Sequence, residues 1–248
     1  MKCTCEGQAD YIPRFAMMDF LTAHWNHLLL ANFCVDRNLL VDLLPDKTSI
    51  DEFEGHVFVS LVAFLFDKTR VLGIPIPFHR RFEEVNLRFY VTPDRDPSIR
   101  AVSFIKEIVP KRAITWIANT LFSENYEAQP MGNGRNGLEY WYSWGAGGRN
   151  RFSAKLRSEL EIPAPGSIAE FITEHYWGYA RGRKHTLEYR VKHPQWRCSN
   201  VDDFDINVDF GQTYGERFAC LNGMQPHSVQ YAEGSPVSVS FPRRLKST

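Results

Sequence analysis

The chain has 248 residues, 44% apolar and 14% aromatic, enough for a sizeable core and too much for a disordered chain. Lys and Arg number 29, as do Asp and Glu, so the net positive charge of a nucleic-acid or anionic-membrane binder is lacking. Without an apolar run of about 18 residues, a signal-peptide start or a CxxC spacing among Cys3, Cys5, Cys34, Cys198 and Cys220, a reducing, cytoplasmic setting is expected.

Residues 1–12 read as a tail, and the Cys3/Cys5 pair within it has no partner pair to complete a metal site. Residues 13–242 read as one domain, with no linker or repeat. Residues 243–248, with Arg243, Arg244 and Lys246, read as a basic solvated tail. In chain order, residues 25–35 form an apolar strand, and Asp36 can cap a short helix through Leu44, stopped by Pro45. Residues 56–66 are strand-like, with turn-rich 73–77 shortly beyond.

Residues 84–91 alternate cleanly. Val85, Leu87, Phe89 and Val91 take one face; Glu84, Asn86, Arg88 and Tyr90 take the other. The turn at 94–97 leads into a strand over 101–109, and Ile114, Ile117, Leu121 and Phe122 then fall at helical spacing. Residues 138–144 and 152–156 read as a hairpin, with Tyr140, Tyr142 and Trp144 opposite Trp141, so both faces should be covered. A short helix over 167–174, strands over 186–191 and 236–241, and a helix carrying Phe210, Tyr214, Phe218 and Leu221 complete the reading. Many strands with a few helices indicate a mainly antiparallel sheet, rolled into a barrel.

Gly132 to Gly137 matches GxGxxG by letter, but an aromatic strand follows where a dinucleotide site needs a helix, so it reads as a turn. His24 and His27 point to opposite faces of a strand, and Asp203 and Asp205 read as loop and capping residues; no metal or cofactor is implied. Two constellations survive. The polar face Glu84, Asn86 and Arg88 either meets water or lines a cavity inside the barrel. Lys111 and Arg112 sit at a helix start, where cations are unfavourable. They are either surface residues or an arrangement in which Arg112 and the helix dipole favour a neutral Lys111 amine able to attack a carbonyl carbon.

These residues also carry a family resemblance. The segments 25–33, 53–55, 84–88 and 109–113 resemble the bacterial domain-of-unknown-function family 2071. So do 173–179 (with His175 and Trp177), 188–191, His193-Pro194 with Trp196, and 232–235. That family is similar in fold to acetoacetate decarboxylase, a β-barrel enzyme that forms a Schiff base through a lysine. The resemblance implies a mainly β (α+β) fold: an acetoacetate-decarboxylase-like antiparallel β-barrel with a few peripheral helices. Glu107-Ile108-Val109-Pro110-Lys111-Arg112 looks like the decarboxylase's Glu…Pro-Lys-Lys segment. Carried over, Lys111 is the nucleophile, Arg112 stands in place of the second lysine, and Glu107 is the accompanying acid. Arginine at 112 and the lack of an acid in 56–66 depart from that pattern, so decarboxylation of acetoacetate itself is not implied.

The function expected is a small-molecule site, for a carboxylate or carbonyl compound, inside the barrel. Glu84, Asn86, Arg88, His175 and Trp177 are the candidate ligand-binding residues. Schiff-base lyase chemistry through Lys111 is one reading; a non-enzymatic ligand-binding or interaction barrel is the other. Nucleic acid and membrane are not expected as partners, and the oligomeric state is open.

Overall fold

The computed structural model describes residues 19–157, 159–182, 185–201 and 203–245. The tail 1–12, the Cys3/Cys5 pair and Lys246 lie outside them. Three long strands, β1 (Leu21–Val35), β3 (Val57–Val71) and β5 (Phe82–Pro93), pair antiparallel, with the short β2 (Thr48–Ile50) and β4 (Ile74–Pro75) at their margins. β6 (Ala101–Val109) continues the sheet, followed by helix α1 (Arg112–Leu121) and β7 (Tyr126–Ala128).

After α1 the chain builds a second, four-stranded sheet. Its members are β8 (Met131–Asn136), β9 (Glu139–Trp144), β10 (Asn150–Lys155) and, later in the chain, β14 (Asp203–Asn207). Helix α2 (Ile168–Thr173) leads back into the main sheet through β11 (Trp177–Arg181) and β12 (Thr186–Lys192). β13 (Cys198–Asn200), helix α3 (Phe210–Tyr214), β15 (Ser228–Val239) and β16 (Arg243–Arg244) follow. The main pairing runs β15-β1-β3-β5-β6-β11-β12 and returns to its start where β12 meets β15 at Val191↔Val239 and Lys192↔Ser238. Two of its pairings, β6 with β7 and β6 with β11, are parallel, a departure from the antiparallel expectation made by the crossovers that contain α1 and α2.

Both faces of the central strands are covered, so residues 57–66 of β3 are buried without interruption. Leu29, Leu61, Leu87 and Phe89 face the second sheet, packing with Tyr140, Tyr142, Trp144 and Phe152. Leu28, Leu30, Val62, Phe64 and Tyr90 face the other way, with Phe171, Ile172 and Trp196. The alternation read in 84–91 is thus the dividing line between two packed layers.

Several local expectations need correction. The segment after Asp36 makes two 3-10 turns, Arg37–Leu39 and Val41–Leu43, instead of one helix. Asp36 accepts from the Asn38 backbone N–H at 2.7 Å, and too few residues remain before Pro45 for helical propagation to offset nucleation. Residues 132–136 belong to strand β8, with the turn following at 137–138. Glycine suits that strand because a Cβ on Gly134 would lie 2.5 Å from the ring of its cross-strand partner Trp141.

The strand expected over 236–241 is the end of β15, which begins at Ser228, and Asp203 and Asp205 stand on β14. The expected C-terminal helix breaks at Gly215 (φ 113°) into α3 and a 3-10 turn, Glu216–Leu221. Arg243 and Arg244 pair with β12, and the Arg243 Nε lies 2.7 Å from the buried Glu188, so this part of the basic terminus is held to the sheet.

Candidate functional site

The second layer is not filled. Beside the cavity-facing side of β5 lies a cavity of ≈ 170 Å³, roughly ten times the space one ordered water needs. Its wall is mostly aromatic and aliphatic, with Trp25, Phe64, Phe82, Phe104 and Trp196 among its members. Glu84, Asn86 and Arg88 all line it, because same-face residues on a strand repeat every second position. Across the sheet Asn86 pairs with Glu107, and Glu107 with Tyr126, which brings both of these onto the same wall.

The polar groups fall into two ends. At one, the Asn86 Nδ2 donates to Glu84 Oε1 (3.1 Å) and the Tyr126 hydroxyl donates to Glu84 Oε2 (3.1 Å). Tyr189 on β12 donates to Glu124 Oε1 at 2.6 Å. It reaches across β11 because Gly178 opposite it has no side chain; a Cβ there would meet the Tyr189 ring at 2.2 Å. Glu84 and Glu107 are almost completely buried, and Glu107 Oε2 has no hydrogen-bond partner. Burial, eased by the Asn86 and Tyr126 hydrogen bonds and the Arg88 charge, raises the Glu84 carboxyl to about 7. Burial and the neighbouring Glu124 and Glu84 hold Glu107 well above the usual carboxylate range. Glu124, half-buried between this cavity and an open cleft beside α1, is also raised, chiefly by desolvation.

At the other end, Arg88 Nη2 donates to the Ile172 carbonyl oxygen (3.0 Å), and its guanidinium lies 5.6 Å from the Tyr90 ring centroid. Its Nε is buried without a partner. His175 packs against Tyr90, with ring centroids 4.7 Å apart, and neither ring nitrogen has a hydrogen-bond partner. Its Nε2 stands 3.5 Å from Asp51 Oδ2. Burial lowers His175 to about 4 despite Asp51, so the ring is neutral near pH 7. Trp177 also lines the cavity, while the Arg190 and Arg243 guanidinium groups lie 5.8 and 5.6 Å from its ring centroid.

Of the residues singled out in the sequence, Glu84, Asn86, Arg88, Glu107, His175 and Trp177 meet at this cavity. Lys111 and Arg112 do not. Lys111 is the half-buried residue before the first turn of α1, Arg112 is exposed, and the described lining contains no lysine. Glu124 and Tyr126 were missed: they lie in and just after the loop beyond α1, where no periodicity or motif marks them. Asp51 was also missed. No group of three or more His, Cys, Asp or Glu among the described residues is placed to hold a metal ion. His27 instead bonds the Tyr231 hydroxyl at 2.8 Å.

The chain matches, over residues 22–236, the model of the family DUF2071, described as an uncharacterized conserved protein. It belongs to that family. A relative in sequence is the uncharacterized protein YqjF of Bacillus subtilis (strain 168). It is 28% identical over 193 residues, spanning 74% of this chain and 77% of YqjF. Among solved structures, the chain is similar to the enduracididine biosynthesis enzyme MppR complexed with pyruvate, at TM-score 0.67 and 10% identity over 97% of this chain and 99% of that one. It is also similar to acetoacetate decarboxylase from Legionella pneumophila, at TM-score 0.65 and 8% identity over 98% of each chain. The mainly β, decarboxylase-like fold implied by the sequence resemblance is therefore the fold of this DUF2071 chain.

Proposed function

We propose that the chain binds a small carboxylate-bearing molecule in this cavity, with the main sheet rolled into a barrel around it. The observation that carries the reading is Arg88. Its guanidinium reaches the cavity with no carboxylate in ion-pair distance among the described residues, and its Nε has no acceptor. Arg88 is half-buried, and a partly desolvated guanidinium without an ion-pair partner favours an anion that accepts from it. Neutral His175 supplies a hydrogen-bonding edge beside it, and the aromatic wall takes the apolar body of the ligand. Pyruvate, the molecule bound in the MppR complex of like fold, is a small carboxylate of this kind.

Imine formation needs an amine facing the ligand. With no lysine in the described lining, binding is the function proposed and a Schiff base through Lys111 is not part of it. The free thiols Cys34, Cys198 and Cys220 suit a reducing compartment such as the cytoplasm. Among the described residues no helix is long and apolar enough to cross a membrane. Thermal-shift titration with acetate, pyruvate and butyrate tests the proposal: the melting temperature should rise with concentration, and Arg88→Ala should abolish the rise. If none of the three carboxylates shifts the wild-type transition, the reading fails.

A further inference from the structure

The end of the cavity opposite Arg88 poses a separate question, because carboxyl groups and unmatched acceptors gather there. Glu84, Glu107 and Glu124 share that wall. Among the described residues lining the cavity, Arg88 is the only arginine and there is no lysine. Glu107 Oε2 lacks a donor although only 3% of the residue is exposed. So does Asn86 Oδ1, on a side chain that lines the cavity between Glu84 and Arg88 and is 2% exposed. Asn86 Oδ1 is an acceptor, and Glu107 Oε2 becomes one when the carboxyl ionises, so a group carrying several N–H donors and a positive charge completes both. The aromatic rings of Phe104, Phe122, Tyr126 and Tyr189 also line the cavity, and such faces favour an organic cation. A metal ion is a poorer match, since these carboxyls are not among any described group placed to hold one.

We infer that the ligand carries, besides its carboxylate, a cationic nitrogen of ammonium type seated among Glu84, Glu107 and Glu124: the site takes a zwitterionic amino-carboxylate. This rests on the carboxylate reading of Arg88 and narrows it. The strand sets the spacing. Glu84 and Arg88 are four residues apart, on the order of 13 Å between Cα atoms. The two side chains stand side by side, so less a contact of about 3 Å at each end about 7 Å remains, space for about three to five carbons between the charged ends.

The acidic end holds protons when empty, because burial and mutual repulsion favour the neutral carboxyls. An arriving ammonium favours their ionised forms, so binding releases protons to the solvent. The other titratable groups on the wall are Tyr126, Tyr189, Arg88, His79, His175 and His193. His175 and His193 are both lowered by burial and stay neutral near pH 7.

The test is isothermal titration calorimetry of the full chain with butyrate, butylamine and the series 4-aminobutyrate, 5-aminopentanoate and 6-aminohexanoate, near pH 7 in two buffers of different ionisation enthalpy. The best amino acid should bind at least about tenfold tighter than butyrate, with a buffer-dependent heat that reports proton release. Glu107→Gln should lose most of that advantage, read as the ratio of its amino-acid affinity to its butyrate affinity. Should Glu107→Gln fail to fold, Glu124→Gln reads the same effect. If butyrate binds and no amino acid binds tighter, this inference is overturned while the carboxylate site stands. If no carboxylate of either kind binds, the site reading falls and this one with it.

Discussion

The two faces of strand β5 belong to one peptide yet follow opposite rules. Val85, Leu87, Phe89 and Val91 press into the layer beneath the second sheet, in one cluster with its aromatic side chains, and little or no surface remains exposed. Glu84, Asn86 and Arg88, one residue out of step, face a cavity in which several polar atoms have no partner. A packed apolar face lowers the free energy of the fold. Buried polar groups left unmatched raise it by about 1–3 kcal/mol each. The strand therefore carries stability on one side and a stored, ligand-relievable cost on the other.

Substitution should separate the sides most clearly. Leu87→Ala removes a fully buried side chain from the packed face and should lower the unfolding free energy by about 2–5 kcal/mol in urea titration. Asn86→Leu, adjacent in sequence, should change it by less than about 1 kcal/mol, because an unmatched polar atom disappears along with the hydrogen bond to Glu84. Equal losses at the two positions would show that the cavity face is packed like the other.

pH gives a smaller effect with a definite sign. Glu84 binds its proton more tightly folded (about 7) than at its ordinary value of 4.5, so the native state holds more protons between those values and stability falls as pH rises through them. His175, lowered to about 4 from 6.5, acts oppositely, adding stability as pH rises from about 4 to 6.5. Glu84 is thus seen most cleanly between about pH 6.5 and 8, where it should cost the unliganded protein on the order of 1 kcal/mol, and Glu84→Gln should make the slope shallower by that share while Glu107 and Glu124 still contribute in the same direction. The least effect is expected at Lys111. Lys111→Ala, outside the cavity wall, should leave stability within about 0.5 kcal/mol and the affinity for carboxylates unchanged.

The sequence disclosed the division within β5 because a period of two is a property of the strand itself, independent of its neighbours. It could not say whether the polar side met water or a cavity, since that depends on α1, α2 and the strands that pass over it. Glu107 and His175 drew attention only through the family resemblance, whereas Glu124 and Tyr126 lie in and just after a loop with no local signature. Lys111 shows the opposite limit. Proline spacing placed it correctly at the start of α1, but the helix start does not fix where the amine points, and the cavity is lined instead by Ala113, Ile114, Ile117 and Ala118 of that helix. The short 3-10 turns after Asp36 were read as a helix because capping chemistry is shared by both.

The alternation in β5 also governs how such a site can be inherited. Inserting or deleting one residue within the strand would exchange its faces, sending Leu87 and Phe89 into the cavity and Glu84 and Arg88 into the dry layer against the second sheet. Length changes there are therefore closed as a route to new specificity. What can vary is the side chain at positions 84, 86 and 88, three settings on a ruler whose markings stay fixed.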